Sequence, residues 1–196
     1  SLGSDTGGSI RFPAAACGTV GLKPTWGRIS RYGVLPLAES LDHVGPLTRS
    51  SIDAGIMFMA MAGPDPKDPT TLSGPVSNIL EEIKKDLKGV RIGIDEDYVT
   101  KGVDQELSEA VLEGVKVLKD LGADIVEVTM PEIDKYLPFW RTLCTAESVA
   151  AHRQFYPSRR DEYGPFFKEW LDIGAKVSGA DYAEANNQRK YYAPPK

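Results

Sequence analysis

The chain has 196 residues, 41% of them hydrophobic, with 23 Lys+Arg against 28 Asp+Glu and a formal charge of -5. That length and apolar content suffice for a buried core, and an acidic balance without a basic run argues against a row of phosphates, so nucleic acid is not an expected partner. The longest apolar stretch, around Ile56 to Ala62, falls short of the about 18 residues a membrane helix needs, so no membrane partner is expected either.

The first fifty residues are dense in Gly and Pro, with apolar pairs such as Val20/Leu22 and Val34/Leu35/Leu37 between them. This pattern predicts short strands and tight turns rather than long helices. Ser50-x-x-Asp53 is a capping pair that opens a helix carrying Ile52, Ile56, Met59 and Met61, and Gly63 supplies its stop. From Gly63 to Thr70, three prolines stand among acids, which predicts an ordered, solvated surface loop. That loop lacks the glycine turn and terminal glutamate of an EF-hand, so Ca²⁺ is not expected there.

Val90 to Ile94 alternates like a strand, and Leu107, Val111, Val115, Leu118 and Leu121 mark one face of a helix that starts near Asp104 and ends at Gly122. Ile125 to Val128 is the next strand, so the unit is strand, helix, strand with a parallel crossover. Beyond Pro131 three helices are predicted, about Tyr136 to His152, Tyr163 to Gly174 and Asp181 to Tyr191. The aromatics Phe139, Trp140, Phe155, Tyr156, Phe166, Phe167 and Trp170 gather there. They read as core, with a substrate-pocket wall as the alternative.

The fold class that follows is α/β, with a mixed, largely parallel sheet and helices on both faces. One partial domain over 1–196 is expected, in three segments: 1–75, the strand-helix-strand unit over 76–130, and a helix-rich part over 131–196. Cys17 and Cys144 are far apart and form no C-x-x-C pair, so neither a metal site nor a disulfide framework is suggested and a reducing cytoplasm is the expected location. No cofactor is expected. The chain opens on Ser1-Leu2-Gly3-Ser4 and stops at Pro194-Pro195-Lys196; both ends read as cut from a longer protein.

Gly3-Ser4-Asp5-Thr6-Gly7-Gly8-Ser9-Ile10-Arg11 places two glycines directly before a serine. Backbone N–H groups can turn inward around such a point and hold an anion. If Ser9 attacks a carbonyl carbon, the N–H groups of Thr6, Gly7, Gly8 and Ser9 are placed to receive the oxyanion, and side chains at positions 7 and 8 would obstruct that approach. Alone, the tetrapeptide Thr-Gly-Gly-Ser is also compatible with an ordinary turn or a phosphate loop. No Gly-Lys-[Ser/Thr] follows, which removes a Walker loop, and no strand-forming run precedes the glycines as a dinucleotide fingerprint needs. Asp5 and Arg11 are close enough in sequence to pair and hold the loop. Arg28, Arg31 and Asp42 are expected in similar scaffold roles. A triad of Ser9, Asp42 and His43 is disfavoured, because neighbours on a strand face opposite ways, and His152 reads as a surface or structural histidine.

The longer match decides among these. Gly3 to Arg11, Pro13-Ala14, Cys17-Gly18-x-Val20-Gly21-Leu22-Lys23-Pro24-Thr25, Gly27-Arg28-x-Ser30-Arg31-x-Gly33, Ser40-Leu41-Asp42, Val44-Gly45-Pro46, the loop at Gly63 to Pro69 and Gly179-Ala180-Asp181-Tyr182-x-x-Ala185-x-x-x-Arg189 together resemble the amidase signature family. The resemblance implies an amide hydrolase with Ser9 as nucleophile, and an oxyanion hole of Thr6, Gly7, Gly8 and Ser9. It also implies a second serine and a lysine that belong to segments upstream of this block; neither is in this chain. Lys23 stands in a stretch that the family carries in addition to its catalytic lysine, so it reads as structural or surface. The implied substrate is a small-molecule amide or ester. The alternatives are an esterase or carbamate hydrolase, a glutamine amidotransferase subunit, or a noncatalytic self-associating fragment. A homo-oligomer covering sheet edges, or a disordered N-terminus, is expected of a chain cut at this point.

Overall fold

A computed structural model describes residues 1–83 and 86–192; the proline-containing end at Pro194 and Pro195 lies outside the described residues. The chain divides into two compact units, one of residues 1–80 with 134–196 and the other of residues 81–133.

In the first unit, β1 (Leu2–Asp5), β2 (Val20–Gly21) and β3 (His43–Thr48) form a sheet in the order β1-β3-β2. Both ladders are antiparallel, with Leu2 opposite Pro46, Asp5 opposite His43 and Val20 opposite Thr48. The segment Leu2–Asp5 is thus a paired strand rather than the disordered N-terminus that was one expected outcome. A short helix α1 (Arg11–Ala16) follows the glycine-rich loop and was not expected. It forms because Ile10, fully buried, and Ala14 turn one side of it into the core while Phe12 stays in solvent. Removing Ile10 from water stabilises this corner by about 2 kcal/mol.

α2 (Ser51–Met61) starts as the capping pair dictates, with the Ser50 hydroxyl accepting from the Asp53 N–H at 3.1 Å. Its buried residues are Ala54 and Gly55, whereas Ile52 and Ile56 of the predicted stripe are exposed. Small side chains allow the close approach here, and Gly55 sits against Ile79. The proline loop is ordered but less solvated than predicted. Asp68 is buried and accepts from the Arg31 N–H at 2.9 Å, while Asp65 accepts from the Ser30 hydroxyl at 2.7 Å. A one-turn helix α3 (Ile79–Glu82) comes next in sequence.

The second unit carries the predicted strand-helix-strand pattern. β4 (Arg91–Ile94) and β5 (Asp124–Glu127) are parallel, with Ile92 opposite Ile125. They are joined through α4 (Glu96–Thr100) and α5 (Gln105–Asp120). Asp104 caps α5 by accepting from the N–H groups of Glu106 and Leu107, which satisfies two donors that a helix start leaves open. The predicted apolar face departs from expectation at its ends and middle, since Leu107, Val111 and Leu121 are exposed.

Back in the first unit, a 3₁₀ turn at Asp134–Tyr136 leads into α6 (Leu137–Ala151), followed by α7 (Pro165–Gly174) and α8 (Gly179–Tyr192). α6 packs on both α7 and α8 and buries Leu143, Cys144, Thr145, Glu147 and Ser148. Not all aromatics are core as predicted: Phe166 is 87% exposed. The chain is α/β with mixed strand pairing. Among the described residues no helix is long and apolar enough to cross a membrane.

Candidate active site

β1 ends at Asp5, and the carboxylate of Asp5 organises everything that follows it. Asp5 is 1% exposed. It accepts from the N–H groups of Gly8 (2.8 Å), Ile10 (3.1 Å) and Arg11 (3.4 Å), and from Nε (3.1 Å) and Nη2 (3.0 Å) of Arg11. Burial by itself would raise the Asp5 carboxyl pKa. The Arg11 side chain, the Ile10 and Arg11 N–H groups and the Arg11 charge outweigh burial and bring it to about 2. The chain therefore wraps around a fixed negative charge, which sets the shape of the loop through its backbone N–H groups and the Arg11 side chain.

The two glycines are required for different reasons. A Cβ on Gly7 would come 2.6 Å from Cζ2 of Trp140, and Gly8 holds φ at 133°, a conformation that L side chains rarely adopt. The Gly8 N–H is turned to Asp5. Of the four N–H groups expected to face an oxyanion, those of Thr6, Gly7 and Ser9 have no acceptor among the described residues. Ser9 itself is exposed. An exposed serine hydroxyl and three open donors thus share one turn of backbone.

The remaining candidates separate from this group. The Asp42 carboxylate accepts from the Thr6 hydroxyl and from the N–H groups of Leu37 and Ala38, so it does not orient His43. His43 instead directs Nδ1 to the carbonyl oxygens of Leu41 (2.7 Å) and Asp5 (3.3 Å), which makes Nδ1 the protonated nitrogen. Burial and the nearby Lys23 charge lower the His43 pKa. The Asp42–His43 bond that a triad would use is replaced by these separate partners. Lys23 Nζ donates to the Pro24 carbonyl at 3.0 Å, and burial, then Arg11, lowers its pKa. His152 is buried against Tyr163 and Phe167, a structural setting within the alternatives read from sequence.

A family model described as Amidase matches residues 1–193. The chain belongs to the amidase family. A glutamyl-tRNA(Gln) amidotransferase subunit from a Geobacter species is 40% identical over 203 residues, covering 94% of this chain and 42% of that protein. Among solved structures, a chain of a vestigial protein complex that reveals the evolutionary origins of an s-triazine catabolic enzyme superposes with a TM-score of 0.87 at 30% identity, over 98% of this chain and 41% of that one. The native peptide amidase of Stenotrophomonas maltophilia gives 0.77 at 28% identity, over 95% and 43%. The chain spans about two fifths of the length of these relatives.

In this amidase chain the aromatic cluster meets the loop at Trp140, which the sequence placed among the aromatics without linking it to the loop. Trp140, on α6, lies under Gly7 and directs Nε1 toward the Thr6 carbonyl at 3.4 Å. It also packs against Trp170 with ring centroids 6.2 Å apart. Nothing in the local sequence signals this, because the contact joins positions 134 residues apart. The only hint was the density of aromatics on either side.

Proposed function

We propose that this chain supplies the nucleophile and the oxyanion-binding loop of a serine amidohydrolase. Ser9 Oγ attacks the carboxamide carbon while its proton passes to a base, and the carbonyl oxygen gains the negative charge. The N–H groups of Thr6, Gly7 and Ser9 receive that charge, and the Gly8 N–H, held by Asp5, keeps them in place. Collapse of the intermediate breaks the C–N bond, the amine leaves with a proton, and an ester on Ser9 remains for water to hydrolyse. The observation that carries this reading is an exposed serine beside three backbone donors that no described acceptor claims.

The Ser9 hydroxyl has no side-chain partner among the described residues, and Lys23 is turned to the Pro24 carbonyl. The base is therefore assigned to the lysine and bridging serine that the family resemblance implies, from upstream segments of the full-length protein. Ser9→Ala in the full-length protein is expected to abolish carboxamide hydrolysis and labelling by a fluorophosphonate. Retained turnover would sink the assignment. Matched ester substrates report whether acyl transfer is restricted to amides.

One observation favours a narrower reading. The Geobacter relative carries the name of an amidotransferase component, which makes glutamine a candidate amide donor, with the released ammonia passing to a partner protein. Glutaminase turnover that rises when partner subunits co-purify at fixed stoichiometry supports it; an unaccompanied protein active on other amides removes it. A cytoplasmic location is part of the proposal, supported by Cys17 and Cys144 standing as free thiols. Self-association through the β1 edge is the corresponding proposal for the isolated chain, and light scattering tests it.

A further inference from the structure

The loop is pinned at two places, and only one of them is Asp5. At its start, the Thr6 hydroxyl donates to Oδ1 of Asp42 at 2.5 Å, and the Thr6 carbonyl faces Trp140 Nε1 at 3.4 Å. With its hydroxyl and carbonyl both engaged, the Thr6 peptide has little freedom to rotate. Its N–H and that of Gly7 then keep the direction they have.

Asp42 is 6% exposed, and among the described residues no Lys or Arg forms an ion pair with it. Its charge is met by neutral donors: Thr6 Oγ1, the Leu37 N–H at 2.8 Å, and the Ala38 N–H at 3.1 Å to both oxygens. The backbone donors already close the turn that also holds Asp42 N–H on the Ala38 carbonyl at 2.9 Å. The bond from Thr6 is thus additional to what the turn needs, and it ties the turn to the loop.

The turn is itself fixed from the helical side. Glu147 on α6 accepts from Ser40 N–H (2.8 Å) and Ser40 Oγ (2.6 Å), and from the Tyr182 hydroxyl of α8 (2.8 Å). Arg189 Nη1 of α8 donates to Ser40 Oγ at 2.9 Å. A continuous set of hydrogen bonds therefore runs from α8 and α6 through the turn to Asp42 and ends on Thr6.

We infer that Asp42 is a positioning residue for the oxyanion loop, acting through the Thr6 hydroxyl; the inference rests on the reading of Ser9 as the nucleophile. Its effect falls on the transition state, because the N–H groups it aims matter most when the carbonyl oxygen becomes charged. A small misdirection of such donors lowers turnover steeply while leaving substrate binding almost unchanged.

The test uses the full-length protein and whichever of acetamide, benzamide and glutamine it hydrolyses fastest. Thr6→Val keeps the shape and removes only the hydroxyl. Its kcat is expected to fall about 10- to 100-fold with KM within about two-fold, and phenylboronic acid, which forms a tetrahedral adduct on a nucleophilic serine, should bind more weakly by a similar factor. Thr6→Ser should recover most of the loss. Asp42→Ala, which removes the acceptor, should lower kcat at least comparably, and adding Thr6→Val to it should cost little more. Thermal unfolding of each variant identifies any that fails to fold, and Thr6→Val then decides alone. Wild-type kcat and boronate affinity in Thr6→Val overturn the inference, as do additive losses in the double variant. Turnover by Ser9→Ala in the same assay removes the nucleophile reading, and the inference with it; an inactive Ser9→Ala beside an unimpaired Thr6→Val removes the inference alone.

Discussion

The loop from Asp5 to Arg11 and the helix α5 of the second unit are both short stretches with a plain sequence signature, yet they are held by opposite means. The loop is shaped by directional bonds to buried carboxylates, chiefly Asp5, with one glycine that the Trp140 ring keeps free of a side chain and one whose positive φ does so. α5 is capped at one end by Asp104 and keeps Leu107 and Leu121 57% and 58% exposed. Hydrogen bonds to a charge fail when a single atom is misplaced, whereas a loosely covered apolar row tolerates exchange. The first region should be brittle and the second forgiving.

The sharpest way to break that contrast is Asp5→Ala. It leaves the Gly8, Ile10 and Arg11 N–H groups without their acceptor, and a loss of more than about 3 kcal/mol is expected in urea unfolding. A loss below about 1 kcal/mol would show that water replaces the carboxylate and that the loop is not built on it. Ile10→Ala, at a fully buried position in the same corner, should cost about 2–5 kcal/mol, read from the same curves.

Acid tests the same carboxylate reversibly. The Asp5 pKa is lowered in the folded chain from 3.8 to about 2. Its contribution to stability is therefore complete above the unfolded value and is lost as pH falls through that interval toward the folded value. A decline of about 2 kcal/mol between pH 6 and pH 2 is expected from this group. Asp5→Asn should show a correspondingly shallower acid slope, and an equal slope in both proteins removes Asp5 as the source.

Gly7→Ala places a methyl group 2.6 Å from the Trp140 ring, and should destabilise by about 1–3 kcal/mol. Trp140→Leu in the same chain should relieve part of that cost; if it does not, the ring is not what excludes a side chain at position 7. At the forgiving end, Leu107→Gln and Leu121→Gln should each stay within about 0.5 kcal/mol of the parent. A larger loss in either would mean that the exposed row of α5 is covered in solution.

Much of the architecture was legible in advance for reasons that are local. Ser50 caps α2 as its pairing with Asp53 suggests, α5 starts at Asp104 as expected, and the Val90 and Ile125 patterns pair as parallel strands, because period and capping are written in neighbouring residues. The apolar stripes of α2 and α5 were less legible. Periodicity shows which side of a helix is apolar, but coverage depends on what packs there, and on α2 the contact is made by Ala54 and Gly55 instead.

The loop divides along the same line. Asp5, Gly7, Gly8, Ser9 and Arg11 stand within seven residues, so the sequence by itself determined that a serine, two glycines and a pairing carboxylate and guanidinium would meet, and the same run of residues marked the amidase family. Which N–H groups stay open was decided only by the tertiary structure. Asp5 claims the Gly8 donor, Asp42 takes the Thr6 hydroxyl, and Trp140 closes the space beside Gly7. Proximity along a chain brings groups together, but the direction of each backbone donor depends on contacts such as Trp140 with Gly7, made by residues more than a hundred positions away.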